Sequence, residues 1–142
     1  MKIVIDADVL VAALRSRRGA SAAWLRAALR CEVEILASVP LMLHYEEVIL
    51  RPEHQATNGL SARELGQVMD AIAAVATPVV ISYLWRPMLR DPDDELVLET
   101  AVNGSADVLL TFSQRDFAGA RRFVPIVSRP GPAWRDWLEG SK

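Results

Sequence analysis

The chain has 142 residues, 51% of them hydrophobic and 24% charged, with a formal net charge of −2. That length suits one domain, residues 1–142, able to bury roughly 68–70% of its extended surface and so to build a core without staples. The balance excludes a disordered acidic tail, a histone-like polycation and a collagen-like repeat, but leaves nucleic acid open as a partner, because a local basic rim can sit beside an acidic site.

In chain order, Ile3-Val4-Ile5 is a β-branched run ended by Asp6 and reads as a buried parallel strand. Val9 to Leu14 reads as helix, Ser16 to Gly19 as a turn, and Ala22 to Arg30 as an Ala/Leu/Arg-rich helix. Val33 to Ala37 is the second strand. Ser38 caps a helix with Pro40 in its first turn, where a missing N–H costs nothing, and that helix runs to about Leu50 and stops at Arg51-Pro52. Ser61 and Glu64 form a capping box for a helix with Leu65, Val68, Met69 and Ile72 on its apolar face. Pro78 to Ile81 reads as the third strand, and Asp91-Pro92-Asp93-Asp94 opens a helix through Leu96, Leu98 and Ala101. Asp107 to Thr111 and Val124 to Val127 are the fourth and fifth strands, and Pro132 to Leu138 a closing helix. Strands alternating with helices predict an α/β domain around a parallel sheet.

Smaller counts narrow the setting. Cys31 is the one cysteine, so no internal disulfide is possible, and with His44 and His54 as the only histidines zinc-finger and zinc-ribbon readings fail. Asp6 and Asp8 interrupt the apolar N-terminus, which argues against a signal peptide, and no apolar stretch is long enough for a membrane span. The expectation is a soluble cytoplasmic protein with no membrane partner. Lysine occurs only as Lys2 and Lys142, so arginine carries almost all the positive charge.

Acids recur at the carboxyl ends of predicted strands: Asp6 and Asp8 after the first, Asp116 beyond the fourth, with Asp91, Asp93 and Asp94 at a helix start late in the chain. Ligands of open α/β sheets bind at that edge. Gathered carboxylates repel and raise one another's pKa values unless a cation sits among them, and oxygen donors suit Mg²⁺ or Mn²⁺. Any one of these acids alone is equally well a helix cap; the set points to a metal site.

Asp6-Ala7-Asp8 resembles the nucleophile motif of haloacid-dehalogenase-like phosphatases, and an Asp at a strand end also resembles response-regulator receivers. Both use a lysine late in the fold, and lysines at positions 2 and 142 alone do not supply it. The chain resembles the PIN domain family much more extensively, in the branch of small prokaryotic proteins grouped as toxins of toxin–antitoxin pairs. That branch opens with D-T-N-V-L-V-S-A-L, matched by Asp6-Ala7-Asp8-Val9-Leu10-Val11-Ala12-Ala13-Leu14, and continues with Gly-Ala-Ser, matched by Gly19-Ala20-Ser21. Its S-x-x-L-x-x-E-Y-x-x-V-L-x-R-P is matched from Ser38 to Pro52, its D-P-D-D by Asp91-Pro92-Asp93-Asp94, and its T-F-N-x-R-D-F by Thr111-Phe112-Ser113-Gln114-Arg115-Asp116-Phe117.

The resemblance implies a three-layer fold with a central parallel β-sheet flanked by helices. It implies a Mg²⁺- or Mn²⁺-dependent endoribonuclease that hydrolyses single-stranded RNA. Carried over by position, Asp6, Asp94 and Asp116 would be the catalytic metal ligands, with Asp8 and His44 as further candidates. Thr111 and Ser113 would be polar supports, and Arg51, Arg86, Arg90 and Arg115 weak candidates for holding the RNA backbone. The implied partners are an antitoxin protein and a second copy of the chain, for which the apolar tail from Trp134 to Leu138 is a candidate interface.

The departures matter as well. His44 stands where the family has its second acid, on a helix face with Leu41 and Val48; it removes a negative charge and favours Mn²⁺ over Mg²⁺. Glu47, one turn on, is a candidate to compensate, whereas Glu46 points away. Asp8 replaces an Asn and adds a carboxylate, and Ser113 replaces an Asn or Asp and loses a ligand. The alternative reading is therefore a catalytically weakened PIN-like domain that binds RNA or protein. Trp24, Trp85, Trp134 and Trp137 suit core or interface packing better than base stacking.

Overall fold

The strands β1 (Lys2–Ile5), β2 (Glu34–Ala37), β3 (Thr77–Pro78), β4 (Val108–Leu110) and β5 (Ile126–Ser128) form one parallel sheet in the order β3-β2-β1-β4-β5. The computed structural model describes residues 1–82, 89 and 91–140. β1 lies at the centre, with Ile3 opposite Ile35 on one side and Val4 and Ile5 opposite Leu109 and Leu110 on the other. Ile3, Val4 and Ile5 are all buried, as expected of a strand covered on both faces.

The helices are α1 (Ala7–Arg15), α2 (Ala20–Leu29), α3 (Val39–Ile49), α4 (Pro52–Asn58), α5 (Ala62–Val75), α6 (Pro92–Asn103) and α7 (Pro130–Gly140), with a 3-10 stretch over Gln114–Arg122. The chain steps from β1 to β2 to β3 in one direction, then passes through α6 to β4 and β5 on the other side of β1. Right-handed crossovers put α1 to α5 on one face of the sheet and α6 with the 3-10 stretch on the other. α6 packs against β1, β2 and the 3-10 stretch, and α2 packs against α1, α5 and α7. The result is the three-layer α/β architecture.

Local chemistry accounts for most boundaries. Ser38 caps α3, its Oγ accepting from the Leu41 N–H at 3.3 Å and lying 2.7 Å from Thr100 Oγ1 of α6. Ser61 and Glu64 form the predicted capping box, each side chain accepting from the other's N–H at 3.1 Å. Gly104 follows α6 in a tight place: a Cβ there would lie 2.7 Å from Leu36 Cδ1 and 2.8 Å from Val79 Cγ2.

Four expectations need correction. The third strand is Thr77–Pro78 rather than Pro78 to Ile81, because its partner β2 ends at Ala37. Val79 N–H still reaches the Ala37 carbonyl at 2.9 Å, but Val80 is 80% exposed. Arg51-Pro52 is a corner rather than a stop: Pro52 begins α4, and Gly59 ends it at φ +70, in the left-handed region that favours glycine. The 3-10 stretch has no counterpart among the predicted elements. The fifth strand starts at Ile126, two residues later than predicted.

The tail helix spans Pro130–Gly140 and is stapled to α2 by aromatics. Trp24, 1% exposed, donates its Nε1–H to the Pro130 carbonyl at 3.0 Å and stacks edge-on to Trp134 with centroids 5.1 Å apart. Trp137 completes the cluster at 5.6 Å from Trp24 and 5.2 Å from Trp134. These three rings serve packing, as the sequence suggests; Trp85 lies outside the described residues. No helix among the described residues is long and apolar enough to cross a membrane.

Candidate functional site

The strand order reverses direction at β1, and the crevice at the carboxyl ends of β1 and β4 is where such sheets bind ligands. Asp6 is the first residue past β1. Its N–H donates to the Leu110 carbonyl at 2.9 Å, which continues the ladder one step and points the side chain out of the sheet edge. Its carboxylate accepts from the Ala7 N–H at 2.8 Å, capping α1, and from Thr111 Oγ1 at 2.7 Å. Asp6 is therefore both helix cap and buried acid, held from the neighbouring strand's end.

Asp8 sits in the first turn of α1. Its Oδ2 accepts from the Phe112 N–H at 3.2 Å and from Ser113 Oγ at 3.3 Å. Its Oδ1 is buried and makes no hydrogen bond to a described residue. An unmatched buried carboxylate oxygen is costly and needs an explanation.

α6 and α3 close the other side. Asp91 is spent on capping α6, accepting from the Asp93 N–H at 2.9 Å. Asp93 Oδ1 lies 3.9 Å from Nδ1 of His44, which is buried on α3 beside Leu41, Tyr45 and Val48. The Tyr45 hydroxyl donates to the Ile5 carbonyl, fixing α3 against the end of β1. Asp6, Asp8, His44, Asp93, Asp94 and Asp116 line one cleft of about 450 Å³. A neighbouring cleft of about 560 Å³ shares Asp91, Asp94 and Asp116 with it and adds Arg115.

The electrostatics follow from this crowding. Burial is the main force raising the Asp6 carboxyl above 3.8, and Asp116 adds to it; the hydrogen bonds from Thr111 and Ala7 and the nearby His44 act against it. Asp8 is pushed up to about 7, first by burial and then by the charge of Asp6. Asp94 is also pushed up to about 7, by burial and then by Asp6, Asp91, Asp116 and Asp8. The Tyr45 hydroxyl is raised well above its ordinary value by burial and by Asp6.

A hard divalent cation fits this donor set: carboxylate oxygens that repel one another, one imidazole, and the unmatched Asp8 Oδ1. Among the described residues no three such side chains are already arranged as an ion's ligands, so holding one requires rotamers to close in.

The structure thus brings Asp6, Asp8, His44, Asp94 and Asp116 to one cleft, with Thr111 and Ser113 as hydrogen-bond supports. Glu47 does not line that cleft. It is exposed and ion-paired at 3.4 Å with Arg51, which lies just past the end of α3. Arg51 lines the cleft, Arg115 the neighbouring one, and Arg86 and Arg90 lie outside the described residues. Sequence reasoning missed Asp93 as the partner of His44, Tyr45 as its brace, and His54 as a lining residue. The Tyr45 neighbour of His44 was a readable signal; His54 was not, because it sits on the unforeseen α4.

A family model for the PIN domain matches residues 2–115, from β1 to the residue before Asp116. No curated protein and no solved structure is similar enough to count as a match. PIN domains have a nuclease-type fold, are commonly metal-dependent ribonucleases and typically use divalent metals. With the matched segment spanning most of its length, this chain belongs to the PIN domain family.

Proposed function

We propose that the protein is a metal-dependent endoribonuclease that hydrolyses phosphodiester bonds in single-stranded RNA, acting in the cytoplasm as the toxin of a toxin–antitoxin pair. The observation that carries this reading is the meeting of Asp6, Asp8, Asp94 and Asp116 in one cleft at the switch point of the sheet. Asp6, Asp94 and Asp116 are assigned as the residues that would hold Mg²⁺ or Mn²⁺, with Asp8 and His44 as further donors. A divalent cation bound there supplies Lewis-acid activation of water and stabilisation of the charge that develops on the phosphate.

The chain's own groups prepare that chemistry. Thr111 orients the Asp6 carboxylate, and Ser113 with the Phe112 N–H orients Asp8, leaving its Oδ1 open. Arg51 at the cleft rim and Arg115 beside Asp116, together with Arg86 and Arg90, are assigned to hold the RNA backbone. The resemblance to the toxin branch supports an antitoxin partner, and the exposed Leu138 beside Trp137 supports a homodimer through α7.

The test is cleavage of single-stranded RNA by the purified protein in Mn²⁺, Mg²⁺ or EDTA, with Asp6→Asn as control. Cutting that needs the cation and disappears in Asp6→Asn supports the reading; full activity in that variant overturns the role of Asp6. His44, an imidazole in the second acid's place, favours a second reading: a weakened domain that binds RNA or protein. That reading expects no cleavage by the wild type and some in His44→Glu.

A further inference from the structure

A third depression, of about 400 Å³, opens next to the acidic cleft and shares Ala12, Arg15 and Phe112 with it. Its character is opposite. Arg15, Arg129 and Arg135 line it, and no described aspartate or glutamate does. All three arginines are exposed, and none is ion-paired with a described carboxylate. Phe112 stands at the junction of the two depressions. The residue is 42% exposed, and the Arg129 guanidinium carbon lies 5.9 Å from the ring centroid.

The placement of the ring is not accidental to the acids. The Phe112 N–H donates to Asp8, so the ring is tied at a fixed offset from the cleft's carboxylates. α2 and α7 also begin at this depression, near Gly19 and Gly131, and their positive poles add to the arginines' field.

We propose that this depression is the subsite for the nucleotide adjoining the cleaved linkage of a single-stranded RNA, with Phe112 stacked on its base and Arg15, Arg129 and Arg135 holding its phosphates. The proposal rests on the nuclease reading of the acidic cleft. A single strand alternates flat bases with anionic phosphates, and proteins bind it with aromatic faces set among cations. Arg129, lying over the Phe112 ring, serves both ends, polarising the ring and offering guanidinium donors to a phosphate. An acidic peptide would use the arginines but leave the exposed ring without a partner.

The experiment is fluorescence anisotropy with a short labelled single-stranded RNA in EDTA, where nothing is cut, on the full-length protein. Phe112→Leu keeps apolar bulk without a ring face and is expected to weaken binding about tenfold, while Phe112→Tyr retains it. The double variant Arg129→Ala/Arg135→Ala, at exposed positions, is expected to flatten the slope of log affinity against log salt by about 0.7 for each phosphate no longer neutralised. Wild-type affinity and salt slope in Phe112→Leu and the double variant would overturn the proposal. So would binding of a polyglutamate peptide that the double variant abolishes while its RNA binding is unchanged. Because binding is read without metal, the two readings separate. Ring-dependent binding without Mn²⁺-dependent cutting sinks the nuclease reading alone, and cutting with unaffected variants sinks the subsite alone.

Discussion

Thr111 and Asp6, 105 residues apart in sequence, are joined by a buried 2.7 Å hydrogen bond at the carboxyl ends of adjacent central strands. Together with the Ala7 N–H and His44, the bond works against the burial that raises the Asp6 carboxyl. Thr111→Val keeps the shape and removes the donor. It is expected to cost about 1–3 kcal/mol in stability and to lower Mn²⁺ affinity about 10–100-fold, with Thr111→Ser close to wild type. Thermal melts and calorimetric Mn²⁺ titration check both effects; unchanged affinity in the valine variant would remove Thr111 from the positioning of Asp6.

The pH dependence of the metal-free protein has a definite sign. Asp8 and Asp94 titrate near 3.8 when unfolded and at about 7 when folded, and Asp6 is raised as well. Across that window the native state keeps protons that the unfolded chain has released, so stability falls as pH climbs from about 4 to about 7 and then levels off. Cation binding needs those carboxyls deprotonated, so the gain in Tm from added Mn²⁺ grows over the same range. Melts in EDTA and in Mn²⁺ across this pH range read both trends; an EDTA-treated Tm that rises with pH contradicts them.

His44→Glu places a carboxylate near Asp93, which is now 3.9 Å from the imidazole, and removes a neighbour that favours the charged form of Asp6. The expected outcome is a lower Tm without metal, tighter binding of Mg²⁺ relative to Mn²⁺, and RNA cleavage at least equal to wild type. Paired Mg²⁺ and Mn²⁺ titrations measure the change in preference, and an unchanged ratio would place His44 outside the donor set.

Gly104→Ala tests the fold away from the chemistry. A methyl group at 2.7 Å from Leu36 and 2.8 Å from Val79 must displace both. The backbone φ of −93 there carries no strain, so the cost is steric, about 1–3 kcal/mol. Urea denaturation should show that loss while RNA cleavage per folded molecule stays at the wild-type level.

What could be read from residues alone follows a physical divide. β1 and β4 are unbroken apolar runs, and Ser38, Ser61 and Glu64 are short-range caps, so their signals lie within a few residues of the structure they create. α4 left no such trace, because none of its residues is buried and it has no apolar stripe. β3 misled because Val80 and Ile81 look like strand but lie beyond the partner's end. In the site, the acids are visible as strand-end and helix-start residues and Asp94 is singled out by position, but the separate uses of its neighbours need three dimensions: Asp91 caps the helix, Asp93 faces His44, and Asp94 faces the other acids. Asp8's pairing with Phe112 and Ser113, and the convergence of Arg15, Phe112 and Arg129, join distant segments and have no local signature.

The aromatic staple between α2 and α7 has a practical consequence. Three of the chain's four tryptophans touch one another at that seam, between an early helix and the last one. Intrinsic emission from this protein is therefore weighted toward a single joint. A change in its intensity or colour reports the final helix lifting from α2, and an experimenter following the acidic cleft should attach a separate probe.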